Sequence, residues 1–161
     1  MRTLAGRSLG REHVLAGAVA GLAAGLLVLL LRLAPGVDGI ALVHVDSQGV
    51  EVALHLVLAT ALGALFAVVF RYQRDAYAAA LGEGLLLGLL WWAVGALTLT
   101  PLLAGDRPTW SVADAANAFP DLVADLLFGV ATALGYASSR RSCSHAARSR
   151  RRARRLRSHG S

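Results

Sequence analysis

Four runs of mostly apolar residues, about 14–33, 52–70, 78–99 and 120–137, take up most of this chain and limit what it can become. A helix rises about 1.5 Å per residue and needs about 20 such residues to cross a hydrocarbon layer roughly 30 Å thick. Each run has that length. With their short connections they fill the sequence nearly to Ser138, leaving no room for a soluble catalytic domain. The 161 residues are 56% hydrophobic and 16% charged, with mean hydropathy +0.57, too apolar for a soluble domain of this size. The expected fold class is all-α, an integral-membrane four-helix bundle. Residues 1–13 read as a cytoplasmic N-terminal segment, 14–137 as the four-span domain, and 138–161 as a disordered, arginine-rich cytoplasmic tail.

The arginines set the expected orientation, because short positively charged loops stay on the cytoplasmic side. Arg2, Arg7 and Arg11 precede the first run, Arg71 and Arg74 separate the second from the third, and nine follow the fourth. That puts fourteen of the sixteen on one side, opposite Asp38, Asp46, Glu51, Asp106, Asp114, Asp121 and Asp125. Both termini are expected in the cytoplasm. No lysine is present, a bias that points to a GC-rich bacterial genome and hence to a bacterial cytoplasmic membrane. The first run is longer than the apolar core of a signal peptide and no A-x-A site follows it, so it reads as a span.

Within the runs, small residues recur every fourth position and so share a helix face. Gly17, Gly21 and Gly25 mark the first; Ala59, Gly63 and Ala67 the second; Gly84 and Gly88 the third; Gly129 and Ala133 the fourth. In lipid, such faces let helix backbones approach closely. Shifting by 63 residues lays Gly21 and Gly25 on Gly84 and Gly88, and shifting by 70 lays Ala59 and Gly63 on Gly129 and Ala133. The bundle therefore reads as two repeated αα-hairpins.

Ionisable groups inside a span are costly and need a partner or nearby water. Glu83 lies shallow in the third run, within reach of Arg71 or Arg74, or else faces inward as a protonatable group. His55 and Asp125 fall on equivalent repeat positions, and with Asp121 and Arg32 they form a candidate polar cluster at the outer mouth. Of the adjacent Trp91 and Trp92, one is expected inside and the other against lipid. Ser111 and Asp114 have the spacing to cap a short helix over 112–118, and Pro120 suits a first helical turn.

In the tail, Arg148, Arg150, Arg151, Arg152, Arg154, Arg155 and Arg157 are expected to contact anionic lipid headgroups, with nucleic acid the disfavoured partner. No P-loop or zinc helix occurs. Haem would need two histidines at membrane depth, and Cys143 stands alone. No cofactor, metal or catalytic residue is expected.

A span opening with His55-Leu56, a basic turn, GLLLGLLWW, then TPLLAG, an aromatic-containing outer loop and a final DLLFG together resemble the YagU-like family of small bacterial inner-membrane proteins over residues 52–137. That resemblance implies a small inner-membrane protein and a loose link to acid tolerance. Where the family pattern has a histidine opening the last span this chain has Asp125, which puts any histidine-pair role in doubt. The expected function is non-enzymatic, with association to itself, as a homodimer, or to a membrane-protein partner through small-residue faces. The alternatives are a small transporter or proton-linked channel using Glu83, His55 and Asp125, and a tether whose arginine tail recruits an anionic partner.

Overall fold

The computed structural model describes the backbone of residues 2–32, 48–70, 77–103, 105–108 and 110–158, and the side chains of residues 11–31, 49–70, 77–102, 105–108 and 110–142. Among the described residues every regular element is helical: α1 (Arg2–Arg32), α2 (Gln48–Val69), α3 (Tyr77–Val94), a π-helical turn (Gly95–Leu99), α4 (Thr100–Leu103), α5 (Val112–Asn117) and α6 (Phe119–Ser158). Four stretches are long and apolar enough to cross a membrane: Arg11–Leu31, Gly49–Val69, Tyr77–Leu102 and Phe119–Ser142. They overlap the four expected runs of about 14–33, 52–70, 78–99 and 120–137.

The helices pack by backbone approach. Gly17 lies against Gly63 and Ala67, Gly21 against Ala59 and Gly63, and Gly25 against Ala59 and His55, which locks α1 to α2. A Cβ added at Gly21 would stand 2.8 Å from the Gly63 Cα, so only glycine permits this separation. The second hairpin repeats the device. Gly84 meets Gly129 and Val130, and Gly88 meets Asp125 and Leu126. The Gly21 to Ala59 and Gly84 to Gly129 approaches fall at positions that the 63- and 70-residue shifts superimpose, as do Gly25 to His55 and Gly88 to Asp125.

The two hairpins join through α1 and α6, where Gly135 faces Ala20. Helix α2 barely touches α6, and α2 and α3, adjacent in sequence, do not form a packed pair. A twofold relating the hairpins would pair α2 with α3 as it pairs α1 with α6, so the likeness lies within each hairpin and not in how they meet. The core is mainly alanine, filled out by a few large side chains: Ala20, Ala67, Ala80 and Ala133 with Phe66 and Tyr136 at one level, and Ala24, Ala59 and Ala124 with Val28 and Phe128 at the next. Many leucines point outward, Leu15, Leu30, Leu65, Leu85 and Leu90 among them, while Leu97 is buried and Leu62, Leu87 and Leu134 pack against the core.

Pro101 accounts for the π-helical turn. Proline cannot donate to the carbonyl four residues back, and its ring crowds that group. Widening the preceding turn relieves both problems, and the carbonyls it displaces are satisfied from five residues on: Thr98 Oγ1 donates to Ala93 O (3.0 Å), while Thr100 gives both its hydroxyl (3.1 Å) and its N–H to Gly95 O. The helix thus passes the expected end at residue 99. Beyond it, Ser111 caps α5 as its spacing implied. Its hydroxyl accepts from the Asp114 N–H (3.1 Å), and its own N–H donates to the Asp114 carboxylate (3.2 Å), a closed capping box. Pro120 stands in the first turn of α6, beside Asp121, whose carboxylate suits the positive end of the helix.

The backbone of residues 138–158 is helical and continuous with α6, where the sequence reading has a disordered tail. Arginine and alanine are good helix formers, and a helix already nucleated by packing is extended cheaply.

Candidate functional site

Polar groups gather at two levels of the bundle, the acidic end near the start of α2 and α6 and the basic end near the start of α3. At the acidic end His55 Nε2 lies 3.1 Å from the Gly25 carbonyl of α1. A carbonyl can only accept, so Nε2 carries the proton and donates. At Gly25 an added Cβ would collide with the Ala59 side chain, 2.6 Å away, but would meet Nε2 only at an ordinary contact distance of 3.7 Å. Asp121 and Asp125 lie one turn apart on α6, both half-buried. The Arg32 side chain, expected as their counter-ion, lies outside the described residues.

Glu83 does not join this cluster. Gly88, packed on Asp125, is five residues further along α3, which sets Glu83 about 7.5 Å nearer the basic end. It is half-buried, and among the described residues Arg140 of α6 is near enough for its charge to act on the carboxylate. The expected partners Arg71 and Arg74 lie outside the described residues. Among the described residues no three His, Cys, Asp or Glu side chains converge as metal ligands.

The basic end centres on Tyr136, which the sequence reading missed. Its ring is 3% exposed and meets His13 of α1 edge-on (centroids 6.4 Å apart) and Phe66 of α2 (5.9 Å), with the Arg140 guanidinium 5.8 Å away. Three helices are fastened at one residue. Edge-to-face pairs of this kind contribute about 0.5–1.5 kcal/mol each beyond area burial. One turn earlier Thr132 is fully buried, and its hydroxyl has no hydrogen-bond partner among the described residues. Beside them, Arg141 Cζ lies 3.7 Å over the Tyr77 ring of α3.

Trp91 and Trp92 are both half-buried, not divided between interior and exterior. Trp91 packs under Gly95, and the Trp92 Nε1–H donates to the Ala118 carbonyl at 2.8 Å, tying α5 to α3.

The small-residue stripes need a correction as association surfaces. Gly17, Gly21, Gly25, Ala59, Gly63, Ala67, Gly84, Gly88 and Gly129 face one another within the chain, and Ala133 is buried in the core. They are already occupied and offer no outward face. Gly82 differs, with open space where its Cβ would be. The side chains of Arg148, Arg150, Arg151, Arg152, Arg154, Arg155 and Arg157 lie outside the described residues.

Comparison with family models, curated proteins and solved structures gives no match for this chain.

Proposed function

We propose that the chain is a non-enzymatic, multi-pass integral protein of a bacterial cytoplasmic membrane, with both termini cytoplasmic, acting as a subunit that binds a membrane-protein partner or a second copy. The observation that carries this reading is the inverted distribution of side-chain size. Alanine and glycine fill the interior, while Leu15, Leu26, Leu27, Leu30, Leu65, Leu85, Leu86, Leu89 and Leu90 cover the exterior. A soluble bundle would hide those leucines, whereas lipid solvates them at no cost and leaves close backbone contact to hold the helices.

The matching register of the two glycine approaches supports descent from one repeated hairpin, and a relation to the YagU-like family is part of the same reading. Association then uses outward faces, above all that of α3, which packs well only on α6. Alkaline carbonate extraction and reporter fusions test the proposal. The protein should stay in the membrane pellet, with a fluorescent-protein fusion after Ser161 bright and an alkaline phosphatase fusion at Asp106 active. Recovery in the soluble fraction without detergent would overturn it.

A further inference from the structure

We propose that α5 and the aromatic residues at its two ends form a lipid-binding surface at the acidic end, with Trp110, Val112, Ala116 and Phe119 seated at the boundary between headgroups and acyl chains. This surface rests on the membrane reading above.

The segment 111–123 is amphipathic with its polarity reversed. Helical bonding carries its register past the end of α5, since the Ala118 N–H donates to the Asp114 carbonyl (2.9 Å) and the Leu122 N–H to the Ala118 carbonyl (3.3 Å). At about 100° per residue Val112, Ala116, Phe119 and Val123 then share one face, and Asp114, Asn117 and Asp121 lie on the other. The apolar face is the exposed one: Val112 is 87% and Phe119 59% exposed, while Asp114 and Asp121 are half-buried. Water would favour the opposite arrangement.

The surroundings point to lipid as the occupant. Trp92 of α3 donates to the Ala118 carbonyl and so fixes the level of the segment. Beyond Trp92, α3 and its continuation run outward for ten more residues to Leu102, on the order of 15 Å, and still present Val94, Leu99 and Leu102 to the exterior. The segment therefore lies at a depth where the neighbouring helix is apolar on its outside. Past Phe119 the exposed stripe continues along α6 as Val123 and Leu127, on a side that the membrane reading gives to lipid. Trp110, also exposed, is held at φ 52°, a left-handed conformation that is costly for a bulky side chain. Such strain persists where the surroundings compensate it, and an indole at the lipid boundary buries its ring while its N–H still reaches water. The closed capping box satisfies donors at the start of α5 within the chain, so its backbone loses little as water thins around it.

The test uses the full chain with Cys143→Ser, spin-labelled through Val112→Cys, Phe119→Cys or Asn117→Cys, in vesicles of phosphatidylcholine and phosphatidylglycerol. Collisions of each label with oxygen, which concentrates in lipid, are compared with collisions with a water-soluble nickel chelate. The labels replacing Val112 and Phe119 should favour oxygen over nickel several-fold more than the label replacing Asn117. Nickel dominating at Val112 and Phe119 would put this face in water and overturn the proposal. Little access to either reagent would put it against protein, a second copy included, and overturn it equally, as would the same preference at all three positions. Where the labelled variants do not fold, fluorescence carries the test: phosphatidylcholine brominated close to the headgroup should quench a larger fraction of the emission of the wild type than of Trp110→Ser, and equal fractions overturn the seating of Trp110. Failure of the membrane reading would appear separately, as release of the protein by carbonate.

Discussion

Adding one methyl group to α3 at two nearby glycines should move stability in opposite directions. At Gly82 a new Cβ meets nothing within 4 Å. Gly82→Ala then brings only the helical preference of alanine over glycine, a gain of about 0.5–1 kcal/mol. At Gly88 the same methyl would stand 2.6 Å from the Leu126 Cα and 2.8 Å from the Asp125 carbonyl carbon. Ordinary carbon contacts lie at about 3.5–4.0 Å, so α3 and α6 must part by about 1 Å, and a gap of that size forfeits about a quarter to a half of each neighbouring dispersion contact. Overpacking costs about 1–3 kcal/mol, of which the propensity gain returns at most about 1. Gly88→Ala should thus destabilise by about 1–2 kcal/mol and Gly82→Ala should stabilise, a separation of about 2 kcal/mol on one helix. Unfolding in mixed detergent micelles, followed by the fluorescence of Trp91 and Trp92, reads the order of midpoints. Equal shifts, or a Gly88→Ala protein as stable as wild type, would refute the packing described for the second hairpin. An oligomer broken by a substitution at Gly88 would report a broken hairpin, since that face is occupied within the chain.

Thr132→Val replaces a buried hydroxyl that has no hydrogen-bond partner among the described residues by a methyl of similar shape, and should stabilise by about 1 kcal/mol, raising the midpoint. A lowered midpoint would mean that the hydroxyl is bonded after all. Trp92→Phe keeps an aromatic ring but removes the donor to the Ala118 carbonyl. Amide exchange over Val112–Asn117 should quicken by a factor matching about 1 kcal/mol, with global stability little changed; unaltered exchange would show that α5 is held by other means.

Hydropathy located the four long helices because length and apolarity act locally, on one segment at a time. The four-residue spacing of glycine and alanine likewise marked the faces on which α1 meets α2 and α3 meets α6, since periodicity alone decides which residues share a side. The cap at Ser111 was legible for the same reason. Choice of neighbour was not. Nothing local distinguishes α6 from α3 as the partner of α1, so the fastening of His13, Phe66 and Arg140 around Tyr136 had no sequence signal beyond a tyrosine near an arginine pair. Arg140, whose charge acts on Glu83 from a helix more than fifty residues away in sequence, likewise had no local signal. The helical backbone after Ser138 was missed because lack of apolar surface was weighed and continuity with a packed helix was not.

The bridge between the hairpins lies where the first and last long helices meet, Ala20 facing Gly135 and His13 facing Tyr136. During synthesis α1 emerges early, yet its second neighbour does not exist until the ribosome has finished α6. The opening hairpin can settle as soon as α2 follows, while the closing one waits for α6 and then docks as a preassembled unit. Completion of the molecule is therefore tied to the final span, and a polypeptide truncated before Phe119 would leave the alanine side of α1 uncovered, an address for quality control to recognise.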